Sequence, residues 1–215
     1  MFADTDTARG RKHRHNATVR ARLLSGAAPL FRARGYEAVS IDAVMGQARL
    51  TRGAFYAHFQ TKAALFTDIL CAENPLADLL ARRTGPKPHD LGQQAIRILS
   101  DYLRPEHLEA ISTACSLATL HRDAALHGET ARAAFEQAHR AVLIELARDQ
   151  AFAPDAPRLV SALSLAVGSI SLASATLSEG TRRAILVAGA QSVLPTLETL
   201  YKVRHPGPDP FLRGP

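Results

Sequence analysis

Apolar residues recur at helical spacing along almost the whole chain, and this periodicity limits the possible folds more than any other feature. In the first amphipathic segment, for example, Val19, Leu23, Ala27 and Phe31 fall on one face of a helix. Alternating runs of β-branched residues, which would indicate strands, are few. The chain has 215 residues, of which 47% are hydrophobic and 21% charged, as is typical of a globular protein. The sequence therefore predicts an all-α fold with a substantial core.

Capping residues and helix breakers divide this pattern into separate helices. Asn16 is expected to cap the first helix and Gly35 to end it. Ser40 and Thr51 each precede a short helix, and Thr61 precedes a longer one. The second half of the chain should end with two long helices, over about 156–178 and 182–202.

Asn74 and Pro75 together predict a break in the helix that begins at Lys62. An asparagine cap followed by proline at the first helical position is a signal for a new helix, since proline has no backbone N–H to donate. A break there would act as a hinge.

Positive charge is concentrated in the N-terminal third. Residues 1–62 contain eleven Lys and Arg against four Asp and Glu, a net charge of +7, whereas the whole chain has a net charge of +6. Solubility alone does not require such segregation, so the distribution favours a polyanion, most simply nucleic acid, as the partner of this region.

Residues 159–178 carry no charge and are long enough to span a bilayer. Seven of these twenty residues are Ser or Thr, and no aromatic belt or basic cluster flanks them. A helix buried against other helices is the better interpretation, so no membrane partner is expected. Two cysteines and no signal peptide favour a cytoplasmic protein.

The two short helices and the tight turn between them form a candidate helix-turn-helix. In the second helix Phe55 and Phe59 can anchor the inner face, while the outer face presents Arg52, Gly53 and Tyr56. Arginine can bind guanine through two hydrogen bonds, and glycine lets the backbone approach the duplex. The outer face therefore suits the major groove of DNA.

The stretch SIDAVMGQARLTRGAFYAHFQTKAALF, residues 40–66, closely resembles the DNA-binding signature of TetR-type bacterial transcriptional regulators. The resemblance is most specific in RGAFYAHFQTKAALF, which has the glycine, the aromatic residue before tyrosine, the His-Phe pair and the lysine typical of the family. It covers residues 17–66. The resemblance implies operator contacts, and from their placement Tyr56, His58 and Lys62 can reach phosphates. The positions that it assigns to DNA are Ser40, Thr51, Arg52, Gly53, Tyr56, His58 and Lys62.

Two positions depart from the pattern of the family. Arg49 occupies the turn where the family usually has glycine, so a left-handed conformation there would cost about 1 kcal/mol. A phosphate contact from Arg49 could offset this cost, and we add it to the DNA-binding candidates. Ala63 stands where an acidic residue is common and would weaken the cap slightly.

The expected fold class is all-α, with an N-terminal three-helix helix-turn-helix DNA-binding domain and a helical C-terminal ligand-binding and dimerisation domain. A homodimer would form through the last two helices and bind a palindromic operator. The expected division of the chain is a flexible basic arm over 1–15, the DNA-binding domain over 16–61, the effector and dimerisation domain over 62–203, and a disordered tail over 204–215.

Four residues of the middle helices are candidates for an effector site: Cys115, His121, Phe135 and His139. The six-residue spacing of Cys115, His121 and His127 spreads them around a helix, so no metal site is expected. Cys115 leaves open a redox-sensing regulator of the same fold.

No sequence motif of an enzyme or of a bound cofactor is present, and we expect neither activity nor cofactor. The sequence predicts a ligand-responsive DNA-binding regulator, most simply a repressor released by a small molecule. A basic helical protein that binds nucleic acid without sequence preference is the competing class.

Overall fold

In the computed structural model, residues 4–72, 74–110 and 115–202 are described, with side chains from residue 14 onward. Within these ranges the chain is helical and contains no strand, which confirms the predicted all-α class. The helices are α1 (Asp4–Ala38), α2 (Ile41–Ala48), α3 (Arg52–Tyr56), α4 (Lys62–Ala72), α5 (Pro75–Ala81), α6 (Pro88–Tyr102), a 3-10 turn (Pro105–His107), α7 (Ser116–Thr119), α8 (His121–Leu126), α9 (Gly128–Ala147), α10 (Pro157–Ser174) and α11 (Glu179–Tyr201). The tail predicted over 204–215 lies outside the described residues.

Helix α1 begins earlier than the sequence suggested. It runs from Asp4, so the prediction of a loose segment up to residue 15 and a cap at Asn16 is wrong for the described residues. The segment before Asn16 contains no proline and several good helix formers, and Asp4 and Asp6 lie at the N-terminus, where the helix dipole favours negative charge. Propensity here outweighs the capping signal of Asn16.

Gly35 breaks α1 as predicted. Its φ of 75° and ψ of 169° lie outside the helical region, in a conformation that only glycine adopts without strain. The chain therefore turns at this point and places Tyr36 and Glu37 beyond the regular part of α1.

Of the predicted serine and threonine caps, Ser40 and Thr61 make capping hydrogen bonds through their side chains. Ser40 Oγ accepts a hydrogen bond from the amide of Ala43 at 3.1 Å, and Thr61 Oγ1 accepts one from the amide of Ala64 at 3.0 Å. Thr51 precedes α3 as expected, but its side chain makes no capping bond. These local signals position the start of each short helix.

The predicted break at Asn74 is also present. Helix α4 ends at Ala72, and α5 begins at Pro75 with the Asn74 side chain accepting from the amide of Ala77 at 3.4 Å. Asn74 is buried, and its Nδ2 donates to the carbonyl of Ala138 on α9 at 2.7 Å. The start of α5 is thereby tied to α9.

Two hydrophobic clusters form the core. The N-terminal cluster joins α1 to α4 and extends onto α8 and α9 through Ala124 and Ala131. The second cluster joins α5 and α6 to α9, α10 and α11. Phe135 on α9 packs against both. Helix α4 thus belongs to the N-terminal core, and the domain boundary placed at residue 62 stays a prediction.

Helices α10 and α11 pack closely through small residues. A Cβ added to Gly189 on α11 would lie 2.3 Å from Ser169 Oγ on α10, so only glycine fits at this crossing. Among the described helices, α10 alone is long and apolar enough to cross a membrane, a property that it shares with core helices of soluble proteins. Leu163, Ala166 and Ile170 on α10 are buried in the second cluster, which favours the core interpretation.

Candidate DNA-binding surface

Helix α2 is held close to α1 by small residues. Val44, Met45 and Ala48 are buried on its inner face. A Cβ added to Gly26 on α1 would lie 3.3 Å from the Cβ of Ala48, closer than ordinary van der Waals contact. The glycine therefore allows the close approach that fixes α2 and, through it, the following turn.

Helix α3 is anchored by Phe55 within it and by Phe59, which lies after the end of the helix at Tyr56. Phe55 and Phe59 are 0% and 3% exposed, and the guanidinium group of Arg20 lies 5.3 Å from the centre of the Phe59 ring. The opposite face leaves Gly53 and Tyr56 open to solvent, as the sequence predicted. The Tyr56 ring, 57% exposed, packs edge-on against Phe55, which supports a projecting side chain.

The turn between α2 and α3 is left-handed at Arg49, with φ of 52° and ψ of 50°. This confirms that a non-glycine residue takes the conformation in which the family usually has glycine. Arg22 on α1 donates to the carbonyls of Ala48 at 2.8 Å and Arg49 at 3.4 Å. These bonds satisfy carbonyl groups at the end of α2 and leave the Arg49 side chain exposed.

Arg52 at the start of α3 forms a two-point ion pair with Asp42 on α2. The distances are 2.7 Å from Nε to Oδ1 and 3.0 Å from the second guanidinium nitrogen to Oδ2. Sequence reasoning missed Asp42, because nothing local links two residues on different helices. A carboxylate thus lies beside the arginine predicted to read bases.

The remaining DNA-binding candidates differ in exposure. Ser40 and Thr51 are exposed near the N-termini of α2 and α3, and His58 is half-buried after α3. Lys62 has internal partners instead: its Nζ donates to the carbonyls of Tyr36 at 2.9 Å and Val39 at 3.1 Å. One of its three N–H donors is left for a phosphate.

A cluster of aromatic and charged residues joins α1 to α8 and α9, and no motif in the sequence indicates it. His127 Nε2 lies 2.9 Å from Glu37 Oε1, and its Nδ1 lies 2.6 Å from the carbonyl of Asp123. The His127 ring contacts Tyr36, with 3.8 Å between centroids, and Lys62 Nζ lies 4.1 Å from the centre of the Tyr36 ring. We call Tyr36, Glu37, Lys62 and His127 the junction cluster.

Three of the four effector candidates lie together. His121, Phe135 and His139 line a surface depression of about 370 Å³ between α8, α9 and α10, with Val167 and Leu172 opposite. Burial lowers the pKa of His139, an effect that Glu136 partly opposes. A neutral imidazole there could exchange hydrogen bonds with an uncharged ligand.

Cys115 is separated from that depression. It is buried at the start of α7, and its Sγ accepts a hydrogen bond from the Tyr102 hydroxyl at 3.1 Å. Tyr102 borders a second, more apolar depression of about 310 Å³ with Leu76, Leu79 and Ile98. The other thiol, Cys71, is exposed, but burial of its sulfur and the charge of Asp68 raise its pKa. The raised pKa of Cys71 disfavours the thiolate form that redox sensing requires.

Comparison with known proteins agrees with this surface. Residues 23–69 match the family described as bacterial regulatory proteins, tetR family. A transposon Tn10 TetC protein from Escherichia coli is 49% identical over 45 residues, which is 21% of this chain and 23% of that protein. The chain therefore aligns with about a quarter of the length of this relative.

Solved structures resemble most of the chain. A TetR-family transcriptional regulator from Streptomyces coelicolor matches with a TM-score of 0.61 and 20% identity, covering 86% of this chain and 97% of that one. Escherichia coli NemR in its reduced form matches with a TM-score of 0.59 and 18% identity, covering 85% and 96%. Residues 23–69 thus match a model of the tetR family, and the described chain has the fold of the TetR-type structures that it resembles. Domain and fold together support a DNA-binding transcriptional regulator.

Proposed function

We propose that the protein is a sequence-specific transcriptional regulator that binds a palindromic operator as a homodimer and leaves it when a small-molecule effector binds. The exposed face of α3 carries this proposal. Phe55 and Phe59 fix the helix from inside, while Arg52, Gly53 and Tyr56 face solvent. A short exposed helix with arginine at its N-terminus suits the major groove. Ser40, Thr51 and Arg49 would contact phosphates around it.

A titration of labelled DNA from upstream of the protein's own gene tests this proposal, with random DNA as competitor. A variant that combines Arg52→Ala with Tyr56→Ala is compared with wild type, and thermal melts verify that both are folded. Saturable binding that survives competitor and is lost in the variant is the expected result. Equal binding of both DNAs would favour a non-specific nucleic-acid-binding protein, and absence of binding by a folded dimer would overturn the proposal.

A homodimer is supported by the outer faces of α10 and α11. Many exposed or half-exposed residues there are small or apolar and uncharged, among them Ser161, Leu165, Gly168, Leu172, Ala184, Ala188 and Pro195. The charged residues of α11, Glu179, Arg182, Arg183 and Glu198, lie towards its two ends. Such a face suits helix packing against a second copy, and a twofold dimer requires a twofold DNA site.

Sedimentation of a Leu172→Glu variant tests the dimer. Leu172 is 64% exposed on α10, and Leu126 is 65% exposed on α8, so Leu126→Glu is a matched control for the added charge. We expect Leu172→Glu to shift the protein towards monomer and Leu126→Glu to leave the dimer intact. Equal sedimentation of both variants and wild type as dimers would place the interface elsewhere.

The depression beside His121, Phe135 and His139 is the proposed effector site. It offers apolar walls and two imidazoles, a combination that suits an uncharged or weakly polar organic molecule. A compound that releases DNA from wild type should act at higher concentration on Phe135→Ala and His139→Ala variants. If Leu79→Ala, in the second depression, has the larger effect, the effector binds beside Tyr102 instead.

A further inference from the structure

We propose that Asp42 is a positioning residue that sets the base preference of Arg52 by holding its guanidinium group in one orientation. This role rests on the DNA-binding function proposed above. Asp42 engages Arg52 through two bonds, at 2.7 and 3.0 Å, from a different helix. The pair therefore links α2 to the base-reading end of α3.

A carboxylate on this surface calls for an explanation. It lies in the most basic part of the chain, where residues 1–62 carry a net charge of +7, and it repels the phosphates that this region would bind. Both side chains of the pair are 65% exposed, and ion pairs so exposed contribute little to folding. Asp42 also lies in the first turn of α2, where the helix dipole favours an acid, so a purely structural role is the alternative to exclude.

The geometry of the pair leaves the useful edge of Arg52 free. A guanidinium group has five N–H donors in a planar fork. Asp42 occupies Nε and one N–H of a terminal nitrogen, so three donors remain on the two terminal nitrogens. Two of these can donate side by side to the O6 and N7 atoms of one guanine. The carboxylate thus orients the arginine without using the donors that guanine requires.

Holding the arginine has a consequence for selectivity. A free arginine side chain has many rotamers and can bind any nearby phosphate as well as a base. With Asp42 in place, the guanidinium group is ordered before DNA arrives. The negative charge of Asp42 also weakens binding that rests on phosphate contacts without base contacts. Removing the carboxylate should therefore strengthen binding to random DNA and weaken base discrimination, two changes in opposite directions.

The test is a double-mutant cycle of Asp42→Asn and Arg52→Ala in the full chain. The probes are the duplex that wild type selects from a randomised library, each single base-pair substitution of it, and a random duplex. We expect Arg52→Ala to abolish discrimination at one position of each half-site. Asp42→Asn should reduce discrimination at that same position by about two- to fivefold and increase affinity for random duplex. In the Arg52→Ala background, Asp42→Asn should leave discrimination unchanged at every position.

Glu37→Gln is the matched charge control, because the Glu37 carboxylate is exposed and bonds to His127 instead of Arg52. It should leave discrimination as in wild type. Unchanged or sharper discrimination in Asp42→Asn at the Arg52 position would overturn the positioning role while the proposed function stands. If wild type selects no preferred duplex, the DNA-binding proposal itself fails, and the role of Asp42 with it.

Discussion

At the scale of the residue, Gly53 is a position where the fold does not require the residue that is present. A Cβ added there would meet nothing nearer than Thr51 Oγ1 at 3.9 Å, and its φ is not in the left-handed region. Neither packing nor backbone conformation requires glycine, although glycine inside a helix costs about 0.5–1 kcal/mol relative to alanine. We therefore attribute this glycine to the close approach of DNA proposed above.

Gly53→Ala should raise the free energy of unfolding by about 0.5–1 kcal/mol and lower affinity for the selected duplex. The added methyl group would stand between the α3 backbone and DNA. Chemical denaturation and duplex titration measure the two effects. Gly180→Ala in α11 is a control, because its Cβ would also meet nothing nearer than 3.8 Å but lies outside the DNA-binding surface. Full duplex affinity in Gly53→Ala would contradict a close approach of DNA at this point.

At Arg49, by contrast, the side chain that is present costs stability in return for a proposed contact with DNA. Its left-handed conformation is strained for a residue with a side chain, so Arg49→Gly should stabilise the fold by about 0.5–1 kcal/mol. The bonds from Arg22 end on backbone carbonyls and would persist in the variant. If Arg49 contacts a phosphate, Arg49→Gly should weaken binding to all duplexes alike and reduce the salt dependence by about one ion.

Arg49→Lys is the control for Arg49→Gly, because lysine keeps both the positive charge and the strained left-handed conformation at this position. Its DNA affinity and stability should stay close to those of wild type. A loss of affinity in Arg49→Gly that depends on base sequence would mean that Arg49 reads bases rather than phosphates.

At the scale of the element, the junction cluster gives the fold a dependence on pH. Both ring nitrogens of His127 face oxygen acceptors, the Glu37 carboxylate and the Asp123 carbonyl. Only the doubly protonated imidazolium can donate to both. Burial lowers the pKa of His127, but the bonds to Glu37 and Asp123 together raise it by more, so the net shift of the pKa is upward. The same bond to His127 lowers the pKa of Glu37.

The sign of the effect follows from these two shifts. The contribution of His127 is complete below its ordinary pKa of 6.5 and is lost as pH rises through the raised folded value. The contribution of Glu37 is present above its ordinary pKa of 4.5 and is lost as pH falls through the lowered one. The pair is therefore most stabilising in mildly acidic solution. Lys62, Tyr36 and Asp123, whose charge also raises the pKa of His127, are the other ionisable groups that face it.

Thermal melting of wild type and His127→Gln over a range of pH measures this contribution. We expect the melting temperature of wild type to exceed that of the variant by most near pH 6, and by less as pH rises beyond the raised pKa of His127. Glu37→Gln keeps His127 but removes the negative charge of its acceptor. The difference in melting temperature between wild type and this variant should also become smaller as pH rises. A difference that stays constant with pH would show that His127 acts through packing with Tyr36 alone.

Elements that depend on local chemistry could be predicted from the sequence, and elements that depend on distant contacts could not. Ser40, Thr61 and Asn74 cap the helices that follow them, because a cap bonds to an amide three residues away. By contrast, His127 lies ninety positions from Glu37. Asp42 meets Arg52 only because the turn folds α2 and α3 together. Lys62 likewise has internal partners that its motif position does not reveal.

At the scale of the whole molecule, the break between α4 and α5 separates two cores. Leu65, Phe66 and Ile69 of α4 are buried in the N-terminal cluster, whereas α5 packs in the second. Asn74 ties the start of α5 to α9 through the carbonyl of Ala138. Helix α9 also packs directly on α4. A movement of α9 beside the proposed effector site would therefore reach α4 both directly and through α5 and the break at Asn74. We propose that this break acts as a hinge between the proposed effector site and the proposed DNA-binding surface.

Pro75→Ala tests this hinge. Alanine permits helix across the break and restores an N–H donor, so α4 and α5 could join into one stiffer helix. We expect the variant to bind the selected duplex with nearly wild-type affinity and to need several-fold more of a releasing compound. Pro88→Ala, at the equivalent first position of α6, is the matched control and should respond like wild type. If Pro75→Ala changes affinity for DNA but not the response to the compound, α4 and α5 do not articulate at this break. The signal then passes through the direct packing of α9 on α4 or through the junction cluster.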